Sequence, residues 1–387
     1  MRYLLCLFIL LEGCARAPLK RVEDAMRPVK SAPTLIDSLS KEGFFSALKK
    51  HIEVMKISRQ VMDPMVFGER KIEKSKYIAA LELILEHQND WTEWISKNFD
   101  FYEVYGKTGW GEIMSTGYYE PQVHGSHQKS KEFSQAIYST PKDLLTINLK
   151  YFANKFPKGE DPEILKGRIE KNNVLPYFTR KEIDTDHKLQ DLSLELAWLD
   201  PLDAFFIQIQ GSGVIEFENG EKIRVGYDNQ NGHTYAALGK SLRGVIPKEK
   251  MSMQKIKAYL QTLSRDDQQK ILNINPSYVF FKKLESDAIT YAGMEVSDGR
   301  TIATDLKYFP KGALAFLDIE EPQFETPTDI EAKSWVSMPR LVLDEDIGGA
   351  IRGGGRVDLY FGKGDPAAQK AGVMKQKGRL YYLVPRN

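Results

Sequence analysis

"LDEDIGGAIRGGGRVDLYFG", residues 343–362, joins two strand-like runs through a glycine-rich link and sets four acids among six glycines. Alternation through "RLVLDED" puts Asp344 and Asp346 on one face of a strand and Glu345 on the other. Two acids on one face, with Asp358 close by, perturb one another's pKa. A carboxyl raised toward neutrality can protonate a leaving glycosidic oxygen and later take a proton back. Gly348 and Gly349 remove side chains that would block a polymer's approach. The competing reading is a plain turn, because Asp before Gly-Gly is common turn chemistry.

Outward from this stretch the C-terminal third reads as strands: "SYVFFKKL", "SWVSMPRLVLDED", "RVDLYFG" and "GRLYYLVP". From about residue 100 the same period runs through "FDFYEVYGK", "GEIMSTGYYEPQVHGS" and "DAFFIQIQGSGVIEFENGEKIRVGY", with Asn219-Gly220 as a hairpin turn. Helical spacing appears earlier, in "SLSKEGFFSALKKHIEVMKISRQ" and "KSKYIAALELILEHQNDWTEWISKN", and once more at 251–275. Helices first and strands last predict an α+β, mostly β protein containing small β-barrels.

The chain has 387 residues, 54 basic against 53 acidic. No basic cluster supports nucleic-acid binding. "MRYLLCLFILLEGC" has one early basic residue and an apolar run too short to span a bilayer, so 1–14 reads as a signal segment. "LEGC" resembles a lipobox that would acylate Cys14, although Glu12 departs from the usual small or apolar residue; an ordinary signal peptide is the alternative. Residues 15–40 are polar and proline-bearing and are expected to be a flexible tether. The two cysteines, Cys6 and Cys14, both lie in the leader, so no disulfide or cysteine metal site is expected in the body.

Other chemistries lack their signatures. The six histidines show no HExxH spacing, Ser212 of "GSG" lacks a nucleophile elbow, and "GGAIRGGG" is not followed by the Lys-Ser/Thr of a phosphate loop. Neutral amides and aromatics gather instead: Gln208 and Gln210 on one expected strand face, then Tyr227, Asn229, Gln230, Asn231, His233 and Tyr235. Such groups suit hydroxyl- and N-acetyl-rich ligands, or equally a self-satisfied loop.

"STGYYEP", "LELAWLDPLDAFFIQIQGSG", "VGYDNQNGHTYAALGKSL", "GRTIATD" and "LDEDIGGAIRG…VDLYFGKGDPAAQKAG…KGRLYYLVPR" together resemble the membrane-bound lytic murein transglycosylase A family, in consistent order from about residue 112 to the C-terminus. The resemblance implies a double-psi β-barrel catalytic domain (41–118 plus 232–387), with N-terminal helices, and a second β-barrel-like domain inserted after "GYYEP" (119–231, returning somewhere within 226–280). It implies non-hydrolytic cleavage of the MurNAc–GlcNAc β-1,4 bond to 1,6-anhydromuramyl ends, with Asp346 as sole acid and base. Asp358 and Asp305 would be the supporting acids of a three-aspartate motif. Thr116, Tyr118, Gln210, Ser212, Asn231, Gly348 and Gly349 are the expected substrate contacts. No cofactor or metal is expected, and the partners are peptidoglycan strands and, through Cys14, the outer membrane on its periplasmic side; a monomer is expected. A peptidoglycan hydrolase and a non-catalytic peptidoglycan-binding lipoprotein are the alternatives. An extra carboxylate at Asp344 or Glu345 would raise the Asp346 pKa if it pointed the same way.

Overall fold

A computed structural model describes residues 19, 21–107, 109–155, 164–247, 251–285, 289–349 and 351–386. The expected signal segment, 1–14, and Cys14 lie outside the described residues. Among those described, no helix is long and apolar enough to cross a membrane.

The chain opens with β1 (Met26–Pro28), α1 (Lys41–Ile57), β2 (Met65–Phe67), β3 (Arg70–Ile72), α2 (Lys74–Glu86), α3 (Trp91–Asn98), β4 (Phe99–Val104) and β5 (Glu112–Glu120). Ser40 caps α1 by accepting the Gly43 N–H, and the helix buries Phe44, Leu48, His51, Ile52 and Met55 at helical spacing. A second group follows: β6 (Gln122–Ser126), β7 (Gln135–Tyr138), β8 (Leu145–Asn148), β9 (Ile164–Glu170), β10 (Asn173–Pro176), α4 (Arg180–Asp184), β11 (Glu195–Leu199), α5 (Pro201–Gln210), β12 (Ser212–Phe217), β13 (Lys222–Gln230), α6 (Leu238–Ser241), α7 (Met253–Gln261), α8 (Arg265–Leu272) and β14 (Val279–Leu284). The chain ends with β15 (Thr301–Ala303), β16 (Ala313–Asp318), β17 (Glu320–Gln323), β18 (Ser334–Ser337), β19 (Arg340–Asp346), β20 (Arg356–Lys363), α9 (Gly364–Val373) and β21 (Lys375–Pro385).

Six strands close on themselves in the order β21-β16-β19-β15-β20-β5, because β21 also pairs with β5. Closure leaves no free edge within the ring. The β15–β19 and β20–β5 pairs are parallel, and the other pairs of the ring are antiparallel. The eleven-residue β21 makes closure possible by dividing its length: Lys375–Arg379 pairs with β5, and Tyr381–Pro385 with β4. A second sheet, β14-β13-β12-β6-β11-β7, is nearly closed by a single bridge between Ser139 and Phe281. The sheets have separate cores, the first around Leu314, Leu343 and Leu380, the second around Ile137, Ile207, Ile215 and Phe281. Asn219-Gly220 turns the β12–β13 hairpin, with Gly220 at φ +82°.

Three sequence expectations are corrected. "DAFFIQIQ" is helical: Asp200 caps it, Pro201 opens it, and Gly211 ends it at φ +80°. Seven of the ten α5 side chains are buried, so the run shows little of a helical polar face and mimics a strand. Gln208 and Gln210 therefore share no strand face. The return from the second sheet lies after Leu284, beyond the 226–280 window, because β14 completes that sheet; the helices between β13 and β14 pack on α5 through Leu238, Leu260 and Leu272.

The tether is the third. From Ala25 onward it is folded onto the body, with β1 pairing with β4 and Leu35 buried. Asp37 forms an ion pair with Arg300 in which both side chains are at most 3% exposed, and it accepts the Leu341 N–H at 2.9 Å. Arg300 donates in turn to the carbonyls of Leu341 and Ser40. This strap fastens the start of β19. Asp37→Ala would strand a buried guanidinium, at a cost of about 3–5 kcal/mol. Thermal and urea unfolding should show that loss, and an unchanged midpoint would show that the strap is not coupled to the barrel.

Candidate functional site

The three consecutive acids of β19 meet three different fates. Asp344, fully buried, receives Lys311 Nζ at 2.7 Å, the Thr304 hydroxyl at 2.6 Å and the Tyr382 hydroxyl at 2.5 Å. Glu345, also buried, faces His51 Nδ1 at 2.6 Å and accepts the Thr301 hydroxyl at 2.7 Å. Asp346, at the strand's end and half-buried, receives neutral donors: Tyr291 N–H at 3.0 Å and Ile347 N–H at 2.9 Å on Oδ1, and the Tyr118 hydroxyl at 3.1 Å on Oδ2. Burial raises the Asp346 pKa above the ordinary carboxylate value; the two amides, Tyr118 and the more distant Lys311 charge oppose the rise without cancelling it.

The neighbouring acids therefore do not tune Asp346 in the way simple alternation suggests. The β15–β19 register steps from Ile302↔Asp344 to Ala303↔Asp346, leaving Glu345 as the extra residue of a bulge. Each buried acid is matched to its own cation or hydroxyl donors.

The closed ring then lines up a row of residues. Ala303 of β15 pairs with Asp346 on one side and Asp358 on the other, and Asp358 pairs with Thr116. Alanine between the two aspartates puts only a methyl group in the intervening position. Thr116 donates to Asp358 Oδ1 at 2.7 Å, and Arg356 donates to the Thr116 hydroxyl at 3.3 Å. Burial holds the Asp358 carboxyl up to about 6 against the pull of Thr116 and Arg356, and the Asp346 charge adds to the rise. The Tyr118 ring lies 5.2 Å from that of Tyr360, and burial together with Asp346 and Asp358 keeps its hydroxyl protonated.

The sequence-predicted residues divide accordingly. Thr116, Tyr118, Asp346 and Asp358 come together. Asp305 accepts the Lys307 N–H and, at 2.7 Å, the Gly353 N–H, so it holds the glycine loop that follows β19. Gly349 is open on all sides, whereas a Cβ on Gly348 would lie 2.6 Å from Ile351, so Gly348 serves the loop's own packing. Gln210 accepts the Tyr119 N–H at 3.2 Å, and Ser212 opens β12 half-buried, both beside the β5–α5 seam. Asn231 does not fit a ligand contact. It is 1% exposed, donates to the carbonyls of Phe178 and Pro276, and accepts the Tyr278 N–H. Its amide is spent on backbone.

Lys311, His51 and the Tyr291 amide are the contributors that sequence patterns did not single out. His51 carried a signal: it is a polar residue on the apolar stripe of α1. Among the described residues, no cluster of His, Cys, Asp or Glu could hold a metal ion. A cavity of about 540 Å³ beside Asp200 and Lys257 and one of about 860 Å³ beside Trp110 both lie away from this row.

Comparison with known proteins follows the same two-sheet division. Residues 114–282 match the family model described as the MltA specific insert domain, and residues 300–384 match the 3D domain. The membrane-bound lytic murein transglycosylase A of Escherichia coli K12 is 29% identical over 288 residues, covering 73% of this chain and 69% of the relative. That of Vibrio cholerae is 28% identical over 284 residues, covering 72% and 67%. A crystal structure of a membrane-bound lytic murein transglycosylase from Agrobacterium tumefaciens superposes with a TM-score of 0.71 at 25% identity, covering 89% of this chain and 93% of that one. The E. coli protein solved with bound chitohexaose gives 0.69 at 24% identity, covering 96% of each chain. With both models falling on its two sheets, the chain belongs to the membrane-bound lytic murein transglycosylase A family.

Proposed function

We propose that this protein cleaves the MurNAc–GlcNAc β-1,4 bond of peptidoglycan without water, using Asp346 as acid and then base. The observation that carries the reading is that Asp346, at the end of β19, is held by neutral donors with no cation in contact, and that burial raises its pKa. Oδ1 is occupied by two N–H donors, so the mobile proton belongs on Oδ2, beside Tyr118.

In the first step Oδ2–H protonates the bridging oxygen as the bond from C1 of muramic acid to that oxygen breaks, and the sugar becomes oxocarbenium-like. The carboxylate left behind is stabilised by the two amides and the Tyr118 hydroxyl. It then takes the proton from the muramyl 6-hydroxyl as O6 bonds to C1. The proton is back on Oδ2, a 1,6-anhydro ring has formed, and no water has been consumed. Intramolecular attack makes a second catalytic carboxylate unnecessary, unlike the paired acids of hydrolytic glycosidases. Asp358 and Asp305 act as supporting acids, the first beside Asp346 across Ala303, the second through the 347–355 loop.

The glycan is placed along the seam where β5 leaves the closed ring for the second sheet, past Tyr118, Tyr119 and Gln210. The two parallel pairs inside the closed six-stranded ring support a double-psi topology, and the second sheet, from Gln122 to Leu284, is proposed as the inserted domain. Acylation of Cys14 would anchor the protein at the outer membrane, on its periplasmic side. Because the chain is packed from Ala25 onward, the intervening stretch reaches at most ~40 Å, which keeps the body near the membrane surface.

Three outcomes follow. Wild-type protein digesting purified sacculi should release anhydro-muropeptides by mass spectrometry, and Asp346→Asn should lose at least ~10³-fold in rate. Reducing ends would indicate a hydrolase, and full activity of the variant would remove Asp346 from the mechanism. Cys14→Ala should shift the protein from the membrane to the soluble fraction; unchanged fractionation would rule out anchoring there.

The third concerns stability. With a native pKa of about 6 against about 3.9 unfolded, Asp358 holds an extra proton in the native state between these values. Its contribution is therefore most favourable below about pH 4 and is lost as pH rises through 6. Asp358→Asn should be more stable than wild type at pH 7.5, by ~1–2 kcal/mol, and lose that advantage near pH 4. Asp184, likewise held up to about 6 by burial, titrates identically in both proteins and drops out of the difference. A pH-independent difference would contradict the assignment.

A further inference from the structure

Histidine is out of place on the buried face of α1, where His51 lies between Leu48 and Ile52 with 1% exposure. Both ring nitrogens face acceptors: Nε2 is 3.0 Å from the Gly312 carbonyl, and Nδ1 is 2.6 Å from Glu345 Oε1. A carbonyl can only accept, so Nε2 carries a hydrogen, and Nδ1 and Glu345 share one more proton between them. The other Glu345 oxygen accepts from Thr301, whose hydroxyl is itself fixed by the Ser297 N–H at 2.8 Å. A Leu–Met pair would fill this space without desolvating charge, so stability alone does not account for the residues chosen.

The geometry leads instead to Asp346. Glu345 is the bulge residue that sets where β19 releases its last side chain. Its backbone carbonyl accepts the Ala292 N–H at 2.9 Å, and the preceding N–H, that of Tyr291, is a donor to Asp346 Oδ1. Ser58, the residue that ends α1, donates its hydroxyl to the Ala292 carbonyl at 2.6 Å. Helix α1 thus grips the bulge through His51 and the donor loop through Ser58.

We propose that His51 and Glu345 are positioning residues for the lytic reaction: their buried pair fixes the β19 bulge so that Asp346 is delivered to the Tyr291 amide and the Tyr118 hydroxyl. This rests on Asp346 being the acid. The Glu345 carboxylate is felt as far as Tyr118, and His51 is the ring that faces it. The charged and titratable groups around Asp346 are Tyr118 from β5, Asp358 from β20, Lys311 from the turn before β16, and Asp344 and Glu345 from β19 itself.

The test is steady-state kinetics on soluble, uncrosslinked glycan strands, with pH profiles and circular dichroism for each variant. His51→Leu should lower kcat at least ~10-fold with KM within twofold, and move the alkaline limb of the kcat profile to higher pH, because an uncompensated Glu345 disfavours ionised Asp346. His51→Asn, whose amide can reach the Nδ1 position, should restore most of kcat and the original limb. Should His51→Leu fail to fold, Glu345→Ala carries the test: it frees the bulge without leaving a charge, so kcat falls at unchanged KM and the limb stays in place. A folded variant with wild-type kcat per folded molecule, even at a lower unfolding temperature, would overturn the positioning role. Asp346→Asn, assayed alongside, separates the cases: its full activity would overturn the mechanism itself, whereas an inactive Asp346→Asn beside unaffected His51 and Glu345 variants would overturn this inference alone.

Discussion

Three carboxylates in succession on one barrel strand are tolerable only if the burial cost of at least two is compensated, and this requirement organises the closed ring and the helix packed on it. Lys311 reaches Asp344 from the turn before β16, and His51 reaches Glu345 from α1. Both are buried with their partners, where an unpaired charge costs several kcal/mol. Compensation from two directions ties the N-terminal helix and the β15–β16 connection to the same strand. What remains at the strand's end is one acid with no contacting cation, whose burial raises its pKa against the pull of its hydrogen bonds.

Barrel topology decides which residues share that environment. Two parallel pairs interleave strands distant in sequence, so Asp346, Ala303, Asp358 and Thr116 stand side by side although 242 positions separate Thr116 from Asp358. The position between the aspartates is small, and the strand that carries it is three residues long. A larger residue at 303 would occupy the space across which Asp346 and Asp358 influence one another.

Much of this was legible in the sequence, and what was not has identifiable causes. Local chemistry announced the hairpin at Asn219-Gly220, the α1 stripe and the acid-glycine link, and the ordered motif blocks gave the family. Alternation failed at Glu345 because a bulge is set by the neighbouring strand's register. It failed again at "DAFFIQIQ", where a mostly buried helix shows too little polar face to reveal its period; Asp200-Pro201 and Gly211 were the surviving signals. The tether misled through composition: Asp37 and Arg300 are polar residues whose pairing is invisible until the fold brings residues 263 positions apart together. Asn231 had the right functional groups for a sugar, but burial spent them on backbone.

The motif "STGYYEP" shows how one strand can serve both sheets. Along β5, alternate residues Thr116, Tyr118 and Glu120 reach Asp358, Asp346 and Arg224 in turn. The first two partners belong to the closed ring and the third to β13 of the second sheet. Glu120 is fully buried, at 3.1 Å from Arg224 and 3.8 Å from Lys363, so the last residue of β5 joins both sheets. The glycine of the motif serves a different need. A Cβ on Gly117 would lie 2.6 Å from Phe361 and 2.8 Å from the Ala371 backbone, so its absence lets α9 press against β5. With one face of β5 fixed by α9, the strand that hands the chain to the second sheet also presents the Tyr118 hydroxyl to Asp346 Oδ2.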